Sequence, residues 1–226
     1  MLLSVIIPVY NESDTIEEIV RRVQAAPFEK QIILVDDFST DGTREKLEKI
    51  SADNIEKVFH EKNQGKGAAI QTAWPRVRGD VIVIQDADLE YDPSDFAALL
   101  GPIEKGQADV VFGSRFVGYP RRVLLFWHSV GNQLLTLLAN MLNDLNLTDM
   151  EVGYKVFTRD VRDAIKIASN RFGFEPEFTA KVAKKHFRIY EVPISYHGRG
   201  YKQGKKITWR DGFAALFWIF RYRFFD

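Results

Sequence analysis

A chain of 226 residues, 46% hydrophobic and 27% charged with 15 Gly and 8 Pro, has an ordinary globular composition that excludes disordered, collagen-like and low-complexity classes. It contains no Cys, which removes disulfide scaffolds, thiolate zinc sites, iron–sulfur clusters and cysteine nucleophiles and fits a reducing compartment. Net charge is zero, yet residues 1–180 hold 20 basic against 28 acidic side chains and residues 181–226 hold 11 against 3, an asymmetry that points to an anionic surface or ligand at the C-terminal end rather than to nucleic acid.

The first half alternates short apolar runs with helical patterns. Leu3 to Val9 reads as a buried strand, and Asp14 with Glu17 reads as a capping box opening a helix with Ile16, Ile19, Val20 and Val23 on one face. Ile32 to Val35, Val81 to Ile84 and Asp109 to Phe112 read as further strands, separated by helical stretches from Gly67 to Val77 and from Ser94 to Lys105. Strand and helix in alternation imply an α/β fold, a mostly parallel sheet with helices on both faces. After residue 120 the pattern changes: Val123 to Leu145 is helical with more than one buried stripe, Ile189 to Ile194 is a late strand, and Trp209 to Phe225 a terminal helix. The longest apolar run, Phe213 to Phe220, has eight residues where a membrane helix needs roughly 20. Met1 to Val9 carries no basic segment, so neither a span nor a signal peptide is expected.

Ligands of parallel sheets bind at the carboxyl ends of strands. After the first strand comes Pro8-Val9-Tyr10-Asn11-Glu12, without the G-x-G-x-x-G of a dinucleotide fold. After the second come Asp36 and Asp37, adjacent carboxylates that repel unless a ligand hydroxyl, amide or cation engages them; a polar nucleoside suits. The run from Val81 ends in Gln85-Asp86-Ala87-Asp88-Leu89-Glu90, where alternation directs Asp86 and Asp88 to one side as oxygen ligands for Mg²⁺ or Mn²⁺ bridging a diphosphate. Asn63-Gln64-Gly65-Lys66-Gly67 resembles a phosphate cradle but lacks P-loop spacing, so it reads as a turn touching the donor. His60 and His186 read as surface residues, and His128 and His197 have no metal-ligand spacing.

As an ordered set, VIIPVYNE (5–12), ILVDDFSTDGT (33–43), NQGKGAA (63–69) and DADLEYDP (86–93) resemble the inverting family 2 glycosyltransferases with a GT-A fold. GSRF (113–116), HSVGN (128–132), TDMEVGYKVF (148–157) and YHGRGYKQGKKITWRDG (196–212) resemble the polyprenol-phosphate hexosyltransferases, typified by dolichol-phosphate mannose synthase. The resemblance implies a single catalytic domain over 1–226, with a nucleotide-sugar half (1–112), an acceptor half (113–208) and a C-terminal amphipathic helix (209–226). It implies that Pro8, Tyr10, Glu12, Asp37, Lys66 and Asp86 bind the donor, GDP-mannose or UDP-glucose, and that Asp86, Asp88 and Glu90 hold Mg²⁺ or Mn²⁺. Glu90 stands where mannosyl relatives often carry Gln. Many relatives continue into transmembrane helices, whereas this chain stops at Asp226, so membrane contact is expected to be peripheral, at the cytoplasmic face.

A sugar hydroxyl acceptor needs a general base, while a phosphate oxygen is already anionic and needs cations instead. Arg115, Arg199, Lys205 and Lys206 are therefore the expected acceptor residues of a polyprenyl phosphate; the resemblance adds Ser129 of the HSVGN stretch and implies that Asp88, Arg115 and Arg199 carry catalysis. The alternative is transfer to a sugar hydroxyl, for which Glu151 and Asp149 are the acidic candidates. A noncatalytic nucleotide-binding module is disfavoured by Asp86, Asp88 and Arg199. The donor's base and sugar and the oligomeric state stay open. The terminal helix is apolar nearly all round, which suits an interfacial position on a membrane.

Overall fold

The structure is a computed structural model and describes residues 1–118, 126–171, 173–198 and 209–225. The elements in chain order are β1 (Leu3–Val9), α1 (Ile16–Ala25), β2 (Lys30–Asp36), α2 (Thr43–Lys49), β3 (Ile55–Phe59), α3 (Lys66–Ala73), β4 (Val81–Ile84) and α4 (Phe96–Glu104). They continue with β5 (Val110–Ser114), α5 (Phe126–Asn143), β6 (Lys155–Thr158), α6 (Arg159–Ala164), α7 (Phe174–Lys184), β7 (Ile189–Pro193) and α8 (Trp209–Phe224). The seven strands form one sheet in the order β3-β2-β1-β4-β6-β5-β7. Every pairing is parallel except the two made by β6, which lies antiparallel between β4 and β5.

The apolar runs become strands because the centre of such a sheet is covered on both sides, which rewards continuous Val, Ile and Leu rather than alternation. Val5, Ile6, Ile7, Ile32, Ile33, Val35, Ile82 and Ile84 are fully buried. Strand order reverses direction at β1, with β2 on one side and β4 on the other, so the crevice outside the carboxyl ends of β1 and β4 is the switch point at which such sheets bind ligands. The expected 112/113 division falls inside β5, and one sheet runs through both halves.

Two expectations change. α1 is not opened by an Asp14–Glu17 box: Thr15 is the capping residue and makes no side-chain cap bond. Glu12 does the work instead, its carbonyl accepting from Ile16 N at 2.9 Å and its carboxylate from Thr15 Oγ1 at 3.0 Å. Nor does α5 bury several stripes. It rests on α8 and Met150 through Ala139, Leu135 and Leu142, while Phe126, Trp127, Leu134, Leu137 and Met141 stand exposed. The outer side of α8 is also apolar, with Phe217, Phe220 and Phe224 exposed, and its inner side holds Ala215, Ile219 and Tyr222.

Candidate active site

The loops leaving β1 and β2 are laced together by hydrogen bonds. Asp37 N donates to Val9 O at 2.8 Å, Asn11 N to Ser39 Oγ at 2.9 Å, Thr40 N to Asn11 Oδ1 at 2.8 Å, and Glu12 N to Thr43 Oγ1 at 2.9 Å. Asn11, Phe38 and Leu89, at the exits of β1, β2 and β4, all adopt positive φ (51°, 66° and 60°). Non-glycine residues take this region only when their surroundings hold them there, and such strain gathers at functional sites.

The adjacent Asp36 and Asp37 do not wait for a ligand. Asp36 accepts from Arg44 Nε at 2.9 Å and from Ser39 N at 3.2 Å. Asp37 is bonded to His60 Nδ1 at 2.8 Å and accepts from the backbone N of Gln64 at 2.9 Å and of Gly65 at 2.7 Å. The repulsion anticipated from their adjacency is thus answered by the protein itself. His60 is buried, not a surface residue, and its Nε2 is bonded to Thr72 Oγ1 at 2.9 Å. Asp37 therefore fixes the turn that delivers Lys66. Of the other donor candidates, Glu12 is buried at the start of α1, Tyr10 is exposed beside it, and Pro8 lies half-buried in β1.

Lys66 reaches Asp86 Oδ1 at 2.8 Å and Glu175 Oε1 at 3.0 Å. Burial works against its ammonium, but the two carboxylates more than offset that and hold its pKa above the usual lysine range. This joins two predicted donor residues and adds Glu175, a buried carboxylate in the first turn of α7. Asp86 owes its position partly to Gly153, where any Cβ would collide with Asp86 Oδ2. Tyr91 Oη accepts from Gly153 N at 3.0 Å and Tyr154 Oη donates to Gln85 Oε1 at 2.6 Å, so the two residues leading into β6 lock the exit of β4.

The chain after β4 turns rather than staying extended, so Asp86, Asp88 and Glu90 do not align by strand alternation. Asp88 Oδ1 accepts from Glu90 N at 3.1 Å, and Glu90 Oε2 accepts from Tyr196 Oη at 2.8 Å. Burial, then the Glu90 charge, raises the Tyr196 phenol above its ordinary value. Among the described residues no three His, Asp or Glu side chains converge as a metal-ligand group. Asp86 and Asp88 still fit a hard cation that keeps several waters and takes its remaining oxygens from a diphosphate, and the missing Cβ at Gly153 leaves room for the Asp86 carboxylate.

On the acceptor side, the expectation that Arg115 offers its fork to a phosphate meets a fork already engaged. Nε and Nη2 bond Asp149 Oδ2 and Oδ1, each at 2.6 Å, and the guanidinium lies 5.3 Å from the Tyr196 ring centroid. Asn132 Nδ2 also donates to Asp149 Oδ1, at 3.1 Å, which docks α5 on this turn. Glu191 on β7 holds the same turn from below, accepting from Thr148 N, Thr148 Oγ1 and Asp149 N. Ser129 accepts from Gln133 on its own helix at 3.2 Å. Arg199, Lys205 and Lys206 lie outside the described residues.

The family model described as "Glycosyl transferase family 2" matches residues 4–165. The chain is 36% identical over 202 residues to a low-salt glycan biosynthesis hexosyltransferase of Haloferax volcanii, covering 87% of this chain and 48% of the relative. It is 31% identical over 216 residues to the undecaprenyl-phosphate mannosyltransferase of Micrococcus luteus, covering 91% and 87% respectively. It thus spans about half the length of the first relative and nearly all of the second. Glucosyl-3-phosphoglycerate synthase from Mycobacterium tuberculosis, in complex with Mn²⁺, UDP and phosphoglyceric acid, superposes with a TM-score of 0.77 at 19% identity, over 99% of this chain and 79% of that one. Mannosyl-3-phosphoglycerate synthase from Rubrobacter xylanophilus gives 0.78 at 23%, over 98% and 73%. The fold is therefore the GT-A-like α/β fold, and the chain belongs to glycosyltransferase family 2.

Proposed function

We propose that this chain transfers a hexose, mannose or glucose, from a nucleotide sugar to a polyprenyl phosphate at the cytoplasmic face of a membrane. The observation that carries the acceptor assignment is the state of the two acidic side chains available to a hydroxyl-activating reaction. Asp149 is fully buried and bound through both oxygens to Arg115. Glu151 has its Oε1 sealed from solvent, and burial followed by the neighbouring Glu175 charge pushes its pKa up to about 8, far above the ordinary carboxylate range. Neither is placed to strip a proton from a sugar hydroxyl, and a phosphate nucleophile requires no such step.

Asp37 and the turn from Asn63 to Gly65 shape the nucleotide side, with Tyr10 and Glu12 at the exit of β1. Lys66 brings a permanent positive charge to the donor diphosphate. A divalent Mg²⁺ or Mn²⁺ held by Asp86 and Asp88 would supply further charge neutralisation for the leaving diphosphate. Arg199, with Lys205 and Lys206, is assigned to the acceptor phosphate, and Arg115 with Asp149 forms a fixed wall beside it. The exposed apolar side chains of α5 and α8 suit the membrane surface from which a lipid substrate is drawn. Among the described residues no helix is long and apolar enough to cross a membrane. Relatives named undecaprenyl-phosphate mannosyltransferase and dolichol-phosphate mannosyltransferase support the lipid acceptor.

The test is a panel of labelled GDP- and UDP-sugars offered with polyprenyl phosphate or with free monosaccharide. Label entering the lipid phase supports the reading. Efficient transfer to the monosaccharide alone replaces it with the sugar-hydroxyl reaction.

A further inference from the structure

Beside the turn that leads into α3 lies a cavity of about 540 Å³ to which the transfer chemistry assigns nothing, a size within the range of ligand pockets. Lys62 and Gln64 line it from the turn after β3, Arg171 from the segment before α7, and Trp218 and Arg221 from α8. Three cations thus face one hollow from three separate parts of the chain, and among the described residues no acidic side chain lines it. Nor does Lys62, Arg171 or Arg221 form an ion pair with any described carboxylate. Cations gathered in this way attract an anion, and two guanidinium forks suit the oxygens of a phosphate.

The walls are fixed before any ligand arrives. Glu177 accepts from Ala168 N at 2.7 Å and from Ser169 N at 2.8 Å, Gln71 Nε2 donates to Ser169 O at 2.8 Å, and Ala68 N donates to Asn170 O at 2.9 Å. The close approach of this segment to the turn depends on glycine, since a Cβ on Gly65 would collide with Asn170 O and one on Gly67 with Ser169 O. On the third wall, Trp218 stacks on Tyr222 with ring centroids 5.6 Å apart, and a Cβ on Gly173 would come within 3.1 Å of the Trp218 ring.

The place of Arg221 on α8 indicates which kind of anion fits. Side chains three and four apart share one side of a helix, so Arg221 neighbours Phe217 and Phe224, and both rings, with that of Phe220, are exposed. Arg221 therefore stands where the apolar outer side of α8 meets the cavity. A soluble anion would engage the cations and leave the rings bare. An amphiphile covers both, its phosphate among the cations and its acyl chains against the Phe rings, with Trp218 at the boundary that indoles favour in bilayers.

We propose that this cavity binds the phosphate headgroup of an anionic phospholipid, apart from the sites assigned to donor and acceptor, and so fixes how the chain sits on a bilayer. Binding requires no turnover, so it is tested independently of the transfer reaction.

The experiment measures partition of the full chain onto vesicles of phosphatidylcholine, alone or mixed with phosphatidylglycerol. Wild type should prefer the mixed vesicles. The double variant Arg171→Gln, Arg221→Gln should bind them roughly 10- to 30-fold more weakly, about fivefold per basic residue lost at an anionic surface. Both side chains are exposed, and unchanged melting temperatures show that the fold is kept. A control pair of equal charge loss, Lys49→Gln with Lys105→Gln, lies at the opposite end of the sheet, where α2 and α4 end, and should change binding by less than about threefold. Calorimetric titration with inorganic phosphate tests a soluble source. Equal losses in the two pairs show general charge attraction and overturn the proposal, as does a preference for mixed vesicles that survives in the cavity pair. Phosphate binding that the cavity pair loses while its vesicle binding is unchanged replaces the lipid with a soluble phosphate. Vesicle binding that follows the expected pattern without any sugar transfer keeps the headgroup site while the proposed reaction falls.

Discussion

Arg115 and Asp149 are joined through both arms of the guanidinium at 2.6 Å, and the Arg115 backbone N adds a third bond to Oδ2 at 3.1 Å. The pair ties the exit of β5 to the turn after α5, 34 residues later. Breaking a buried pair by removing one partner leaves the other charge uncompensated. Asp149→Ala should therefore cost about 3–5 kcal/mol of stability, read as a lowered urea midpoint. Arg115→Lys should also destabilise, because an ammonium cannot span both oxygens. A midpoint unchanged in both variants would show that the pair is not holding this turn.

Transfer should require Mg²⁺ or Mn²⁺. Asp88→Ala should abolish turnover, and EDTA should do so reversibly, checked by adding back each ion. Glu90→Gln should stay active, since the Gln carbonyl can still accept from the Tyr196 hydroxyl that Glu90 now engages. Full activity in excess chelator contradicts this account.

Arg199→Ala should lower kcat/KM for polyprenyl phosphate by roughly 30- to 1000-fold, the equivalent of about 2–4 kcal/mol for one charge-assisted contact. Slow hydrolysis of the donor by water should hardly change. The two rates, measured on the same preparations, separate acceptor binding from donor binding.

Membrane association should run through the outer side of α8. Replacing Phe217, Phe220 and Phe224 by Ser leaves the packed side of Ala215, Ile219 and Tyr222 intact. Sedimentation with anionic vesicles should fall while the circular dichroism spectrum is preserved. Equal sedimentation of wild type and triple variant would exclude this face.

The sign of one pH effect on stability follows from Glu151. Its folded-state pKa of about 8 lies above the ordinary 4.5, so the unfolded chain releases this proton first as pH rises. Wild-type stability should fall relative to Glu151→Gln between about pH 4.5 and 8 and level off above. Denaturant midpoints of both proteins across that range check it.

β1, β2, β4 and β5 were legible as stretches dominated by Val, Ile, Leu and Phe, and β7 as a late apolar stretch although it is only half-buried. β3 escaped because Ile55–Phe59 is a half-buried edge strand containing Glu56 and Lys57. β6 escaped because it is four residues long and opens on Lys155, a charge that is fully buried here. Asp37, Asp86, Asp88 and Lys66 were singled out from their places after strands, and the structure brings Lys66 and Asp86 together. Glu175 was not: in FEPEF it reads as an acid favouring a helix N-terminus, and only the tertiary fold brings it to Lys66. His60 was misplaced for the same reason, its partners Asp37 and Thr72 lying 23 and 12 residues away.

The antiparallel insertion of β6 between β4 and β5 also governs how the chain acquires its shape. β4 meets its outer neighbour only when Val81 pairs with Thr158, and β5 joins the sheet only through that same strand and β7. A nascent chain that has not yet emitted Lys155 carries β3-β2-β1-β4 with the Val81–Ile84 edge bare. Exposed apolar edges of this kind recruit other strands. A fragment cut at residue 112 would keep most of the side chains assigned to the donor and lose the strand that covers this edge, so it is expected to aggregate rather than to behave as an isolated nucleotide-binding unit.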